Sequence, residues 1–242
     1  MKSTKVLFVA TSHENLGETP GRTGAWLEEI ATPYYILKDA GAELTLCSPK
    51  GGSVPIDPKS QSIIVATSNA RRFLKDAEAM SFLANSNKID EINADDFDLV
   101  YLAGGHGAMW DFINNASLTA LLEAFNNKNK IVAAICHGVG GLLSIRDEKG
   151  ELLVKGRKLT CFSNVEEDSS ALTWVVPFLL ETRLVSLGVL YTKAASYTSH
   201  VVVDGNIVTG QNPASAEELT NKVVTILKTN KVSPTFFVRS VA

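Results

Sequence analysis

Apolar residues along the chain form short, nearly continuous runs, and each run ends in a stretch of small and polar residues. The clearest runs are 5–10, 98–103 and 131–135, and a mixed run covers 43–48. Runs of this length that are rich in β-branched residues predict strands buried on both faces, as in a parallel sheet. The segment 200–210 instead predicts a hairpin that turns at Asp204-Gly205.

Helical periodicity occupies much of the chain between these runs. Thr23 is expected to cap a helix that ends at Gly41, with a kink or a restart at Pro33. Further helices are predicted over 117–127 and 213–228. Strands that alternate with helices predict an α/β fold, a three-layer sandwich around a mostly parallel sheet. Because no linker or repeat interrupts the pattern, residues 1–242 are expected to form one domain.

Composition narrows the functional classes. Of the 242 residues, 45% are hydrophobic and 20% charged, with a net charge of −3, so we expect no nucleic-acid partner. No segment approaches the ~18 apolar residues of a membrane span, and the first run is too short for a signal peptide. The three cysteines, Cys47, Cys136 and Cys161, have no metal-type spacing and predict reduced thiols in the cytoplasm.

The run that ends at Cys136 carries the strongest chemical signal. Ala134 and Gly138 flank the cysteine at two positions on either side, the small-x-nucleophile-x-small pattern of a nucleophile elbow. Such an elbow predicts a sharp turn from strand into helix, with the sulfur at a helix N-terminus that favours the thiolate. The alternative is an inert cysteine that ends a core strand.

Gly104-Gly105-His106-Gly107 follows the strand over 98–103. The amide of Gly105, together with that of His137, could form an oxyanion hole, and Gly104 and His106 are candidates to line it. The alternative is a tight turn that needs glycine. The chain lacks a dinucleotide fingerprint after its first strand and lacks a P-loop lysine, and its scattered histidines match no zinc spacing, so no cofactor or metal is expected.

A cysteine nucleophile needs a base and an acceptor that orients the base. His137 is the candidate base, and one acid of Glu166-Glu167-Asp168 could orient it. This acidic run could equally be a helix start that the dipole favours. Glu28 and Glu29 are adjacent on the first helix, so one is expected to face solvent and the other the protein or the cleft; the alternative is two solvated acids.

Several motifs together resemble the PfpI-like superfamily of class I glutamine amidotransferase-like proteins, in its branch of glutathione-independent glyoxalases (glyoxalase III) and heat-shock chaperones. They extend over nearly the whole chain, to about residue 228. The matching segments are Thr23-Gly24 with Glu29 and Pro33, 94–98, 104–107 with Asp111, 134–138, 162–167, 176–181 and 209–215.

The resemblance implies a flavodoxin-like sandwich, a homodimer and a catalytic triad. In that triad Cys136 is the nucleophile, His137 its partner and Glu167 the third member, while Glu29 is a cleft carboxylate at the sulfur. Cys161 departs from the family pattern, since glycine is expected there, and a second thiol near the site raises the question of a disulfide. The loop over 13–22 matches no branch, which leaves the substrate open.

On this basis the expected activity is that of a D-lactate dehydratase type lyase, a cofactor-independent glyoxalase for methylglyoxal or a similar 2-oxoaldehyde that detoxifies it through a Cys136 hemithioacetal. Two alternatives stay open. One is a stress chaperone or redox sensor that binds unfolded protein clients and has a reactive Cys136. The other is a cysteine-dependent hydrolase, either a deglycase or a peptidase. The apolar tail over 233–238 is expected to pack on its own domain or on a second subunit.

Overall fold

The computed structural model describes residues 3–232, and the tail over 233–238 lies outside them. Residues 3–232 form nine strands, which are β1 Lys5–Val9, β2 Glu43–Ser48, β3 Asn87–Lys88, β4 Leu99–Leu102, β5 Ile131–Ile135, β6 Lys158–Leu159, β7 Leu190–Tyr191, β8 Val201–Asp204 and β9 Ile207–Gly210. Seven of them build the main sheet in the order β3-β2-β1-β4-β5-β9-β8. All neighbours in it are parallel except the hairpin β8–β9. The predicted α/β sandwich with a mostly parallel sheet is confirmed.

Within the described part of the chain, eight α-helices connect or follow the strands. They are α1 Glu28–Asp39, α2 Ser68–Phe73, α3 Ala77–Ala84, α4 Ala108–Asp111, α5 Ala116–Asn127, α6 Asn164–Ser169, α7 Leu180–Ser186 and α8 Ala216–Val232. Short 3-10 helices cover Pro58–Gln61, Ile89–Glu91, Ala94–Asp96, Gly138–Leu142 and Pro213–Ser215. No helix among residues 3–232 is long and apolar enough to cross a membrane.

Both faces of the sheet are covered, and β1 shows how the sequence produces this. Its side chains alternate, so Val6 and Phe8 belong to one apolar core while Leu7 and Val9 belong to the other. The first core also contains residues of α1 and α8, and the second contains residues of α5. A strand covered on both sides must be apolar throughout, which is why a continuous run rather than an alternating one marks it.

The first helix differs from its prediction in two respects. Thr23 does not cap it; the Thr23 hydroxyl donates to Asp57 at 2.9 Å, and α1 begins only at Glu28. Gly24 and Ala25 intervene, and the Ala25 N–H bonds the carbonyl of Pro55, so the chain is extended there. The helix also continues through Pro33 without a restart.

The continuation through Pro33 has a local cause. Proline has no N–H, so in a helix it leaves the carbonyl four residues earlier, that of Glu29, without its usual donor. The buried Tyr101 hydroxyl of β4 donates to this carbonyl at 2.9 Å. Tertiary structure thus supplies the bond that the helix cannot make, and Gly41 follows the helix at φ 79° as predicted for a C-cap.

By its sequence the apolar segment 159–162 is expected to form a short strand, but the structure makes only its first residue part of one. Only Lys158–Leu159 is strand, and it pairs with Leu190–Tyr191 in a separate sheet of two strands. The next residues leave the ladder because the Thr160 N–H donates to the side chain of Thr209. This departure directs the chain toward α6, which carries two buried acids, Glu166 and Glu167.

Candidate active site

The candidate site lies at the carboxyl ends of β1, β4 and β5. Strand order reverses between β1 and β4, because β1 continues to β2 on one side while β4 lies on the other. Ligands of open α/β sheets bind at such a switch point. The chain after each of these strands contributes to one cleft: Glu29 follows β1, Gly105 follows β4 and Cys136 follows β5.

Cys136 stands at the end of β5 in a backbone conformation that is rare for its residue type. Its φ is +84°, in the left-handed region, as expected for the strained residue of a nucleophile elbow. A Cβ on Gly138 would come within 2.7 Å of the Leu102 carbonyl, so only glycine fits there. The element that follows is a 3-10 helix of five residues rather than the predicted α-helix. The elbow is therefore present, but the helix whose dipole was expected to stabilise the thiolate is only a short 3-10 helix.

Two histidines share one carboxylate beside the sulfur. His137 Nδ1 lies 3.8 Å from Cys136 Sγ, and His137 Nε2 lies 2.7 Å from Glu167 Oε2. His106 Nε2 contacts the other oxygen, Oε1, at 2.8 Å. All four residues are buried. The structure therefore brings Cys136, His137 and Glu167 into a chain of contacts and adds His106, which the sequence indicated only as a residue lining the site.

The charge on Glu167 determines which nitrogen carries the hydrogen in the rings of His137 and His106. Burial opposes its charge, but His137 and His106 together hold the pKa of Glu167 well below its usual range. An ionised carboxylate only accepts hydrogen bonds, so Nε2 of each imidazole carries a hydrogen. In a neutral His137 ring the Nδ1 atom is then free to accept, and it faces the thiol. Burial and the neighbouring His137 lower the pKa of His106, which keeps that ring neutral.

Glu29 lies on the other side of the sulfur. Its Oε2 accepts the N–H of Gly104 at 2.8 Å, whereas Oε1 is buried and has no hydrogen-bond partner among residues 3–232. Complete burial raises the pKa of Glu29 to about 8, against an opposing contribution from Cys136 and from the Gly104 amide. The carboxyl is therefore mostly protonated at neutral pH. The structure places Glu29 in the cleft and leaves Glu28 half-buried at its edge.

The Cys136 thiol does not have the depressed pKa that the elbow predicted. Burial raises its pKa well above the usual value, and the adjacent Glu29 raises it further, while the backbone N–H of His137 opposes the shift. The cause is the tertiary environment, since an apolar, enclosed site disfavours the thiolate unless a proton stays nearby. Cys136 and Glu29 consequently behave as a coupled pair.

Gly105 provides a backbone donor in the same cleft. It has φ +101°, and a Cβ there would overlap the backbone at Gly24, Ala25 and Trp26, so glycine is required. No hydrogen bond among residues 3–232 uses the Gly105 N–H. Gly105 and His137 both line the cleft, as an oxyanion hole would require.

The three acids of α6 have different positions. Ser163 caps the helix and forms a capping box with Glu166, so the helix-start interpretation of this run also holds. Buried Glu166 accepts hydrogen bonds from Ser163, Tyr197, Gln211 and Asn212, and it bonds neither histidine of the site. Asp168 is exposed, and only Glu167 reaches them. Adjacent positions of one helical turn thus carry a structural acid, Glu166, and an acid of the candidate site, Glu167.

The cleft around Cys136 has a volume of about 480 Å³. Its walls include several residues that the sequence did not single out as wall residues, because their positions are set by distant parts of the chain. They are Val65, Thr67, Phe162, Ser170, Tyr197, Pro213, Ala214 and Glu217. Tyr197 has φ +58°, an uncommon value that could not be anticipated from its neighbours. Trp26 lines the cleft as well.

The side chains of His106, His137 and Glu167 offer ligand atoms within 4.8 Å of one another, a set that could hold a metal ion. Both imidazoles, however, already bond the two carboxylate oxygens. The expectation of no metal or cofactor stays a prediction. All three cysteines are free thiols, and Cys161 packs in the core opposite to that of Cys136.

Comparison with known proteins connects this geometry to a family. The model of the DJ-1/PfpI family matches residues 23–226. Glyoxalase 3 of Candida albicans is 28% identical over 93% of this chain and 99% of its own. The glutathione-independent glyoxalase hsp3101 of Schizosaccharomyces pombe is 30% identical over 92% of this chain and 95% of its own.

Two solved structures resemble the fold over nearly the whole chain. The Rapid Encystment Protein 24 KDa of Francisella tularensis has a TM-score of 0.88 and 38% identity, covering 93% of this chain and 99% of its own. Glyoxalase III of Candida albicans has a TM-score of 0.84 and 26% identity, covering 92% and 96%.

Proposed function

The chain belongs to the DJ-1/PfpI family, and from this membership and the cleft geometry we propose that it is a cofactor-independent glyoxalase. It converts methylglyoxal or a similar 2-oxoaldehyde to lactate without glutathione. The observation that carries the proposal is the Cys136 sulfur, 3.8 Å from His137 Nδ1 and beside the buried carboxyl of Glu29, in a cleft that admits small molecules. The relatives named as glutathione-independent glyoxalases support it.

The first step joins the substrate to the protein. His137 takes the thiol proton, and the Cys136 sulfur forms a bond to the aldehyde carbon, giving a hemithioacetal. The carbonyl oxygen becomes an oxyanion, which the N–H groups of Gly105 and His137 stabilise. Glu167 holds the His137 ring in place and stabilises its charged form, at a distance of 2.7 Å.

The second step moves a hydrogen between the two substrate carbons. A proton leaves the carbon that bears sulfur and reaches the neighbouring carbon through an enediol, which oxidises the first carbon and reduces the second. A carboxyl with a pKa of about 8 exchanges protons well at neutral pH, so Glu29 is the group that we assign to this transfer, with His137 as the second candidate. Water then hydrolyses the thioester, releasing lactate and the thiol, and no external oxidant is needed.

The direct test is lactate formation from methylglyoxal without glutathione, in the presence of a chelator, by wild type and Cys136→Ala. We expect turnover by the wild type and its loss in the variant. A variant that keeps most of the turnover would refute a role for the sulfur. The handedness of the lactate would then identify which face of the enediol receives the proton.

A chaperone is the second candidate, and exposed apolar side chains favour it. Ile63, Ile64 and Trp174 are each at least 90% exposed, which is unusual for side chains of this size. Suppression of client aggregation that survives Cys136→Ala would establish this activity independently of the cleft. A cysteine-dependent hydrolase, either deglycase or peptidase, is distinguished by release of an amine or a peptide product rather than lactate alone.

We also propose that the protein is a cytoplasmic homodimer and that residues 1–242 form one domain. The free thiols of Cys47, Cys136 and Cys161 support a reducing compartment. Residues from Trp26 to Glu217 line the same cleft, which supports one folding unit. Sedimentation of the purified protein tests the dimer.

A further inference from the structure

The charged side chains at the mouth of the cleft are all acidic. Two acids of different elements line it, Glu28 in the first turn of α1 and Glu217 in the first turn of α8, whereas no lysine or arginine is among the lining residues. The two carboxylates are close enough for Glu217 to affect the ionisation of Glu28. The charge at the mouth is therefore not compensated within the cleft.

Glu28 is held in a defined position. The Thr32 hydroxyl donates to its Oε1 at 2.6 Å, and the Thr67 hydroxyl donates to its Oε2. Burial raises the pKa of Glu28, while these two hydrogen bonds oppose the shift and favour the charged form. Glu217 has no ion-pair partner among the residues whose side chains the structure describes. Its helix dipole favours the anion as well.

The adjacent acid provides a natural comparison. Glu218 is next to Glu217 in α8, but it bonds Ser199 at 2.7 Å and pairs with Lys222 at 3.4 Å. It is absent from the lining of the Cys136 cleft. Of the two neighbours, only Glu217 adds an unpaired charge to the cleft.

The size of the cleft shows that more than a three-carbon aldehyde fits. Its volume of about 480 Å³ falls within the roughly 300–1,000 Å³ of pockets that hold drug-sized ligands. Trp26, Phe162 and Tyr197 provide apolar and aromatic walls. A carbonyl compound with an aromatic substituent can therefore reach Cys136 while the far end of that substituent lies near the acidic mouth.

We propose that Glu28 and Glu217 act as a charge filter, so that the cleft accepts uncharged or cationic carbonyl compounds and excludes those that carry a carboxylate or a phosphate. This specificity rests on the proposed glyoxalase function and adds the substrate class. Like charges brought together at a binding site strongly disfavour association, and we expect a discrimination of about tenfold or more against anions at low salt. The same repulsion helps release the product, because the reaction converts an uncharged aldehyde to a carboxylate.

The test compares phenylglyoxal with its 4-carboxy and 4-trimethylammonio derivatives at pH 8 and low ionic strength. We expect kcat/KM to fall about tenfold for the anion and to stay equal or rise for the cation. In the double variant E28Q/E217Q the anion-to-neutral ratio should approach one, and inhibition by lactate should strengthen. E218Q is the matched control and should keep the wild-type ratio. Equal kcat/KM for all three compounds, or an unchanged ratio in the double variant, would overturn the filter.

Alkylation of Cys136 separates this inference from the proposed reaction. Iodoacetamide and iodoacetate both form a bond from sulfur to carbon, with loss of iodide and of the thiol proton, and they differ mainly in charge. Labelling followed by peptide mass spectrometry, referenced to a free thiol in solution, should show iodoacetate at least tenfold disfavoured in wild type but not in E28Q/E217Q. This result without lactate formation would keep the filter and refute the glyoxalase. Equal relative rates, or no labelling by either reagent, would refute the filter.

Discussion

Replacement of Glu29 by glutamine should make the protein inactive and more stable at the same time. The side chain keeps its size and can still accept the Gly104 N–H, but it can no longer exchange a proton. Loss of a general acid–base group typically lowers a rate by about 10²–10⁴-fold, so we expect a drop of this size in kcat.

The gain in stability follows from the pKa of Glu29. The carboxyl has a pKa of 4.5 when unperturbed and about 8 in the folded protein. The native state therefore binds more protons than the unfolded state between these values, and the stability contribution of Glu29 is lost as pH rises through this window. At about 1.4 kcal/mol for each pH unit, this loss reaches about 3 kcal/mol at pH 7 and about 5 kcal/mol above pH 8. Glutamine removes the loss.

Two measurements test this reasoning. Denaturant unfolding from pH 5 to pH 9 should show wild type losing stability with rising pH and Glu29→Gln losing much less. Asp168→Asn is the matched control, because it makes the same chemical change at an exposed acid and should leave the slope unchanged. If the Glu29→Gln protein keeps its lactate-forming activity, then Glu29 does not carry the proton transfer. If it has the pH slope of the wild type, then the buried Glu29 carboxyl does not have a raised pKa in the folded protein.

Three further substitutions test the surroundings of the site. Glu167→Gln should lower kcat by about 10²–10⁴-fold, since one of the two oxygens can no longer accept an imidazole N–H. Because the folded protein lowers the pKa of Glu167 below 4.5, wild type loses stability as the pH drops below that value, and the variant should lose less. Tyr101→Phe should cost about 1–3 kcal/mol of unfolding free energy by leaving a buried carbonyl without a donor. Tyr34→Phe removes a hydroxyl that, among the described residues, bonds only Lys38, so it should cost less; equal losses would contradict the account of Pro33. Glu166→Gln should lower the unfolding free energy by about 3 kcal/mol in urea denaturation, because the amide offers one acceptor fewer to a buried network, and an unchanged midpoint would show that the network is not stabilising.

The main strands and the elbow were predictable because their signals are local. A strand buried on both faces must be apolar throughout, and a turn as tight as that at Cys136 needs a residue as small as Gly138. The family motifs then selected Glu167 from the acidic run and Glu29 from the first helix as candidate site residues. These constraints act between neighbours in the chain, so they are visible without the fold.

The ionisation of the site was not predictable, since it depends on groups from distant parts of the chain. The elbow alone predicted a thiolate, but complete burial beside Glu29 raises the pKa of Cys136. His106 and Glu167 are 61 positions apart and share a hydrogen bond of 2.8 Å that no spacing rule indicates. Thr23 was predicted to cap the first helix, but its hydroxyl bonds Asp57 instead. Asp57 lies in another loop, so this competing partner is not visible from the residues around Thr23.

The sequence by itself therefore determined the layered α/β fold, the position of Cys136 after β5 and the candidate residues for chemistry. Only the tertiary structure decided whether each of these groups is protonated and which other residues surround it. The physical reason is that burial and long-range pairing set a pKa, whereas local sterics and apolar periodicity set strands and turns. The acidic mouth formed by Glu28 and Glu217 is also a feature that only the tertiary structure decided, because 189 positions separate two carboxylates that line the same cleft.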